Sequence, residues 1–496
     1  MRSILEILKS LKSGTATGTV YDTAWVARLK EINPEMSMRA LSWVCEHQLP
    51  DGSWGTLEPF YYHDRVVCTL SAMIALNYLG RRAQDKIQIE RGLIALEKIS
   101  SGATGGLSAD PNGATVGFEM IVPTLVSEAE KLGVIKQQGD RILGKLSRLR
   151  QDKMSKLIGA KFSRYITVAH SAEMAGTDMI DLLDIENLQE CNGSVGNSPA
   201  ATAYFCLQIR RDDEKAMRYL LDLSTQDNGS FPTLAPFELF ERIWVMWNLS
   251  LAGLENKSPE IRDVFNENLK LLNENWKPGK GLGLSKTFSI TDSDDTAVGF
   301  ELLNKNGYSV DIEALLDYEE EKWFRCFRME ANPSVDVNIH ALGVFKQSGY
   351  TKDHPTIRKI ISFIRSKRQN KSYWFDKWHV SPYYTTSHVV IYCQGYDDKL
   401  CEESVQWILN TQRSNGSWGF YEFPTAEETA YCIQALHMWH QYGGKIPEGR
   451  IEMARQWLEA NADEPKRSLW IDKSLYCPQL IVESAIQSAL ELSKGS

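Results

Sequence analysis

Gln48-Leu49-Pro50-Asp51-Gly52-Ser53-Trp54-Gly55 returns near the other end of the chain as Gln412-Arg413-Ser414-Asn415-Gly416-Ser417-Trp418-Gly419. Weaker copies are Gln189-Glu190-Cys191-Asn192-Gly193-Ser194-Val195 and Gln226-Asp227-Asn228-Gly229-Ser230-Phe231. The two strong copies follow amphipathic helical patterns, Ala40-Leu41-Ser42-Trp43-Val44 and Val405-Gln406-Trp407-Ile408-Leu409. Asp-Gly or Asn-Gly supplies the positive φ that ends such a helix. The Gln amide is placed to bond backbone groups at the start of the next one. Another helical pattern then begins, as in Thr425-Ala426-Glu427-Glu428-Thr429-Ala430-Tyr431-Cys432. Helix, glycine turn and helix, repeated, describe stacked helical hairpins in an all-α protein. Hairpins of this kind form an open solenoid or close into an α/α barrel, and only the closed form encloses an apolar cavity. The Gln and Trp residues of the repeat read as staples.

Bulk properties narrow the function. The 496 residues, 43% hydrophobic and 24% charged, are those of an ordinary folded chain with room for two or three domains. A net charge of −9 and the lack of a basic run with interleaved aromatics argue against a nucleic-acid partner. Met1-Arg2-Ser3-Ile4-Leu5-Glu6-Ile7-Leu8 is amphipathic, too polar for a signal peptide and acidic where a transit peptide is not. No run reaches the ~18 apolar residues of a membrane span. Nine scattered cysteines without a CxxC pair suit a reduced, cytoplasmic chain. His437 and His440 share a helix face but lack a third ligand, so they are not read as a zinc site. A soft boundary at Leu251-Ala252-Gly253-Leu254-Glu255-Asn256-Lys257-Ser258-Pro259 divides the chain into halves that both carry the repeat, and two helical barrels with a cleft between them follow.

The chemistry concentrates in Thr291-Asp292-Ser293-Asp294-Asp295-Thr296-Ala297, directly before the apolar helical pattern Val298-Gly299-Phe300-Glu301-Leu302-Leu303. Asp and Thr are ordinary at a helix start. Three aspartates exceed what capping needs, and mutual repulsion raises the pKa of at least one. A carboxylic acid kept protonated near neutral pH is what a Brønsted-acid catalyst requires. The pattern alone is weak, since D-x-D-D turns up by chance in roughly one chain of this length in fifteen.

Together with the repeat, further segments give it specificity. Tyr21-Asp22-Thr23-Ala24-Trp25, Val116-Gly117-Phe118-Glu119, Ser198-Pro199-Ala200-Ala201-Thr202-Ala203-Tyr204, Leu239-Phe240-Glu241-Arg242-Ile243-Trp244 and the aspartate block resemble, in order and over nearly the whole chain, the class II diterpene cyclases. The compact bacterial halimadienyl and kolavenyl diphosphate synthases look most similar. The resemblance implies two α/α barrels, β (residues 1–14 and 256–496) and an inserted γ (residues 15–255). It also implies geranylgeranyl diphosphate as substrate and Mg²⁺ as helper ion. No DDxxD motif occurs, so the diphosphate is expected to stay on the product and to await a downstream diphosphate-processing terpene synthase.

By the same resemblance Asp294 is the proton donor, with Asp292 and Asp295 holding it by hydrogen bonding and like charge. Asn338, in Val335-Asp336-Val337-Asn338-Ile339-His340, is its expected polar partner. Trp374, Trp378, Tyr383 and Tyr384 offer π-faces to carbocations. His170 matches the γ-domain histidine that in many plant members pairs with an Asn to position the deprotonating water, and Thr233 stands at the Asn position. That departure points to a rearranged product, kolavenyl (clerodane) or halimadienyl in type. The alternatives are an unrearranged labdadienyl (copalyl) diphosphate and, more remotely, squalene-type triterpene cyclisation. The family's acidic Mg²⁺ motif is reduced to Asp110. Lys161, Arg164 and Lys473 are the expected diphosphate-binding cations. Two rivals from other classes are an inverting glycosidase, whose site is polar and wet, and a non-catalytic α-solenoid or prenyl-binding scaffold.

Overall fold

A computed structural model describes the chain apart from residues 13, 15, 81, 102–107, 137–141, 145, 157, 158, 160, 225–227, 329, 331, 495 and 496. The start of the repeat copy at Gln226-Asp227 lies outside the described residues. Among those described, the regular structure is helical except for two antiparallel ribbons, β1 (Gly18–Thr19) with β2 (Phe231–Pro232) and β3 (Trp470–Ile471) with β4 (Leu475–Tyr476). No described helix is long and apolar enough to cross a membrane.

The repeat works as a hydrogen-bonded staple. Gln48 Nε2 donates to the carbonyls of Gly52 and Gln88, each at 2.8 Å, tying the turn to the Ala83–Ile99 helix. Trp54 Nε1 donates back to the Val44 carbonyl of the preceding helix at 2.8 Å, and Trp54 N donates forward to Thr69 Oγ1 at 3.0 Å. Gln412, Trp418 and Thr429 repeat all of this. Gly52 and Gly416 take φ +91° and +93°, which an L side chain would resist.

Stapled hairpins close into two barrels. Helix α1 (Ile4–Lys9) starts the chain. Six helices form the inner ring of the larger barrel: α2 (Glu238–Leu251), α3 (Ser293–Lys305), α4 (Val335–Gln347), α5 (Pro382–Cys393), α6 (Ala426–Gln441) and α7 (Gln479–Leu492). Each packs against the next, and α7 returns to α2. Outer helices, among them Pro355–Ser366, Asp398–Thr411 and Arg450–Asn461, back them, and α1 fills the place between α7 and the Pro259–Asn275 helix. Ile4, Ile7, Leu8 and Leu11 accordingly share a core with residues from Leu239 to Ala489. The smaller barrel has its own core, from Val20 to Phe231. Its inner wall runs through Val20–Ala27, Tyr62–Leu79, Phe118–Lys131, the 3-10 segment Thr167–Ala175 and Pro199–Gln208.

A division after residue 255 places α2 in the wrong unit. Leu239, Ile243, Trp244 and Val245 belong to the larger core, so the change of core falls between Phe231 and Leu239. Gly253, at φ +66°, is a turn between two helices of one barrel, and its glycine-rich look in sequence is that of a hairpin rather than a linker.

The staple hydrogen bonds are buried, so Trp418→Phe removes the indole donor to the Ile408 carbonyl and leaves a small void where the second ring packed. The expected cost is about 1–3 kcal/mol. Chemical denaturation should report it as a lowered midpoint with the denaturant slope unchanged.

Candidate active site

Asp292 caps α3: its Oδ1 accepts from Asp295 N at 2.8 Å, and its extended backbone turns the chain into the helix. Burial, and then the neighbouring carboxylates, push Asp295 well up. Burial likewise raises Asp292 despite the backbone hydrogen bond it receives. These two are shut in at 4% and 2% exposure. Asp294, between them, keeps a side chain 15% exposed and is the one acid of the three facing open space. Its partner is His340, whose Nδ1 lies 2.6 Å from Asp294 Oδ1. His340 Nε2 is in turn 2.8 Å from His388 Nδ1. Burial, then the charges His340 and His379 would carry, hold His388 well below the ordinary imidazole range, so it is neutral. One set of tautomers satisfies both contacts with neutral rings: His388 Nδ1–H donates to His340 Nε2, and His340 Nδ1–H donates to Asp294 Oδ1. Oδ2 of Asp294 is then left free of this contact.

Asn338 is not that partner. It points the other way around α4, where Nδ2 donates to the carbonyls of Phe324 and Ser334 and Oδ1 accepts from Phe324 N. Residues 338 and 340 differ by about 200° around a helix, so they cannot serve the same neighbour.

An aromatic cage adjoins Asp294 and His340. Trp244 stands edge-on to His340, with centroids 4.9 Å apart, and is followed by Tyr384 at 6.4 Å and Phe240 at 6.2 Å. Trp470 of β3 closes it, 5.2 Å from Tyr384 and 5.8 Å from Phe240. Of the four aromatics picked out by sequence, Tyr384 is in the cage. Trp374 is a staple, its Nε1 donating to the Ile364 carbonyl and its backbone N to Thr386 Oγ1. Tyr383 leans on Trp407 at a tilt, and Trp378 packs edge-on against Phe327 under Lys377. Trp244, in the quoted Leu239–Trp244 segment, and Trp470 occupy the places expected of the others.

His170 and Thr233 meet across the two barrels. The 3-10 segment kinks at Ser171, and His170 directs Nε2 at Asp472 Oδ1, 3.1 Å away, and Nδ1 at the Gly196 carbonyl, 2.8 Å away. Thr233 Oγ1 donates to Asp472 Oδ2 at 2.9 Å. Burial opposes charge on His170, but the Asp472 carboxylate outweighs it and raises the imidazole; Asp472 is lowered despite its own burial. An imidazole with an acceptor at each nitrogen is doubly protonated and has no lone pair left for a proton. This is an ionic clamp between the barrels, and not the base expected at His170.

The expected cations fare similarly. Lys473 is fully buried, donating to the His170 carbonyl and Glu173 Oε1, each at 2.9 Å, and to Ser198 Oγ. It holds the hairpin tip inside the smaller barrel and cannot reach a diphosphate. Arg164 is turned to the Gln189 carbonyl and the Tyr165 hydroxyl, while Lys161 is exposed. Nor does Asp110 fit a metal. Its carboxylate caps the Tyr62–Leu79 helix, accepting from Tyr62 N and His63 N at 3.0 Å each and facing His63 Nδ1 at 2.6 Å. Among the described residues no group of three His, Cys, Asp or Glu side chains could hold a metal ion.

The arrangement is thus a single half-open acid backed by two histidines and faced by π-systems, in a barrel pair sealed by a buried ionic clamp. Known proteins resemble the chain in sequence and fold. The family model for the squalene-hopene cyclase C-terminal domain matches residues 324–458. The type B diterpene cyclase of Mycobacterium tuberculosis is 44% identical over 495 residues, covering 98% of this chain and 99% of that protein. The ent-kaurene synthase CPS/KS of the moss Physcomitrium patens is 31% identical over 383 residues, 75% of this chain but 41% of that longer protein. The ent-copalyl diphosphate synthase of Streptomyces platensis shares the fold, with a TM-score of 0.79 at 24% identity over 99% of each chain. The chain belongs to the class II diterpene cyclases. It is a cyclising enzyme of that family.

The clamp has a pH signature. His170 is raised from its ordinary 6.5, so its contribution is complete below that value and is lost as pH climbs through the folded value. Asp472 is lowered from 3.8, so its share is complete above 3.8 and is lost as pH falls through the folded value. The melting-temperature difference between wild type and His170→Gln should therefore be largest between about pH 4 and 6.5 and shrink above it. Separately, Asp110→Asn should lower the melting temperature, while leaving the Mg²⁺ concentration for half-maximal activity of the folded fraction unmoved.

Proposed function

We propose that this enzyme protonates the terminal alkene of geranylgeranyl diphosphate with Asp294 and cyclises the resulting cation to a bicyclic diterpenyl diphosphate. The observation that carries this reading is the Asp294 carboxyl, the exposed member of its triad, with Oδ1 held by buried His340 and the Trp244–Tyr384–Trp470 cage adjoining it. His340 fixes one oxygen so that the proton is presented on the other. The buried, raised Asp292 and Asp295 keep negative charge from accumulating beside it. Ionising the same substrate by loss of diphosphate calls for a metal cluster, and the sequence has no DDxxD to hold one. The diphosphate is therefore retained, for a downstream terpene synthase to process.

Cations for the diphosphate come from other residues than expected. Burial pulls the Lys377 ammonium down to about 8, and the charge of Lys153, from a helix of the other barrel, adds to this. The two lysines share one electrostatic neighbourhood, Lys377 also feels Asp294, and each is paired with a carboxylate that a diphosphate would displace, Lys377 with Glu330 and Lys153 with Glu119. They suit a substrate headgroup lying between the barrels while its far end reaches the acid. Mg²⁺, where it assists, belongs with the diphosphate and not with Asp110.

A rearranged skeleton, kolavenyl or halimadienyl in type, follows from the clamp. With both His170 nitrogens engaged and Thr233 donating to Asp472, the position from which a labdadienyl cation would lose its proton holds no free base, so hydride and methyl shifts run on. Incubation with geranylgeranyl diphosphate, dephosphorylation, mass spectrometry and NMR should yield one bicyclic rearranged alcohol. Asp294→Asn should cut its formation by about 10²–10⁴-fold. Recovery of unchanged substrate from the wild type refutes the reading, and a copalyl-type skeleton refutes the rearrangement alone.

A further inference from the structure

If the clamp holds no base, the final proton must go to another group beside the aromatic cage. Resting on the reading above, we propose that Glu427, in the first turn of α6, is the base that ends the cyclisation, taking a proton from the rearranged cation on its free oxygen Oε2. The residue is 2% exposed and stands behind the cage. Three donors converge on Oε1: Trp470 Nε1 at 2.8 Å, His379 Nε2 at 3.1 Å and Tyr431 OH at 3.1 Å. His379 Nδ1 accepts from Ser381 N at 3.1 Å, which places the ring proton on Nε2 and makes all three donors neutral. Three donors on one oxygen suit the carboxylate form. Oε2 is buried with no hydrogen-bond partner. An unpartnered anionic oxygen in a dry interior is costly, and the donors to Glu427 adjoin the cage: Trp470 is part of it, and its Tyr384 lies 4.9 Å from His379 and 5.1 Å from Tyr431.

Other buried carboxylates near the cage do not compete. Asp336 also has a free oxygen, Oδ1, but burial and then the Asp376 and Asp294 carboxylates raise it well above the usual range, so it stays protonated. Asp472 has both oxygens occupied by His170 and Thr233. Trp244, Tyr384 and Trp470 stand between the Asp294–His340 pair and Glu427, so the charge created at one end is drawn to a fixed anion at the other. In the terminating step the C–H bond beside the cationic carbon breaks, its electron pair becomes the ring alkene, and the proton forms an O–H bond on Oε2. The resulting carboxylic acid returns its proton to water on product release, while Asp294 regains one from water, and the isomerisation balances.

Glu427→Gln keeps the shape and an oxygen acceptor for Trp470, Tyr431 and His379 but removes the base. It should lower formation of the wild-type product about 100-fold or more, with the flux that remains diverted to double-bond isomers or water-captured alcohols visible by gas chromatography–mass spectrometry. Glu427→Asp keeps the charge but withdraws it by one methylene, and should give the same product more slowly alongside such isomers; it carries the test if the Gln variant does not fold. A folded variant making the wild-type product alone, within about tenfold of the wild-type rate, overturns the proposal. A wild type that leaves geranylgeranyl diphosphate unchanged overturns the substrate reading instead, so the two failures are distinguishable.

Discussion

The position of the acid rests on one buried hydroxyl. Thr296 Oγ1 accepts the Leu282 N–H at 3.0 Å and lies 3.2 Å from the Leu282 carbonyl, pinning α3 to the turn before it. This is the contact that Thr69, Thr386 and Thr429 make with the backbone of Trp54, Trp374 and Trp418. Gly281, at φ +74°, allows it, since a Cβ there would come 2.2 Å from Thr296 Oγ1. Thr296 follows Asp295 directly, so the device that builds every hairpin also fixes the rotation of α3 and decides which aspartate is shut in and which faces out. Asp294 owes its exposure to its place in a structural repeat. Its neighbours Asp292 and Asp295 are buried for the same reason.

This explains what could be read from the sequence and what could not. The stapled hairpins were legible because Gln48 and Gln412 sit at the same spacing from Gly and Trp, and the spacing records a hydrogen-bond pattern. The copies at Trp374 and Leu282 were not. At Trp374 the turn has no glycine; Asn370 and Lys371 take positive φ instead. At Leu282 the Trp is gone, yet the staple from the Thr296 hydroxyl needs only the backbone of residue 282. Reading Trp374 as a cavity aromatic follows directly from missing the first. The choice of Asn338 over His340 is a helical-phase problem: in Val335–Phe345 every residue is buried, so no polar face marks which side of α4 meets α3. Contacts such as His170 with Asp472, 302 residues apart, leave no local trace.

The β3–β4 hairpin joins the two barrels chemically as well as mechanically. Trp470, at its start, walls the cage and donates to Glu427. Two residues on, Asp472 and Lys473 enter the smaller barrel, where they meet His170, Thr233, Glu173 and Ser198. Burying that much charge is tolerable only because each group is paired: a lone lysine or aspartate there would neutralise itself by a pKa shift. The pairing sends Lys473 up and Asp472 down, so both remain charged and the hairpin stays seated. A clamp that strong cannot also be a proton acceptor, since accepting a proton at Asp472 would dismantle it.

The chamber therefore needs its acid and its base to be made from the same functional group by opposite means. Carboxyls at the α3 end are pushed up by burial first and by neighbouring carboxylates after it: Asp292 to about 7, Asp295 and Asp336 well above the usual range. Glu427 stands at the α6 end among neutral donors and rings. Hydrogen bonds without countercharge stabilise an anion and leave its field unscreened. A lysine or arginine in place of His379 or Trp470 would quench that field and repel the carbocation as well. Aromatic N–H and O–H donors hold the anion while their π-faces remain compatible with a positive substrate, which is why the cage and the base can be built from the same side chains.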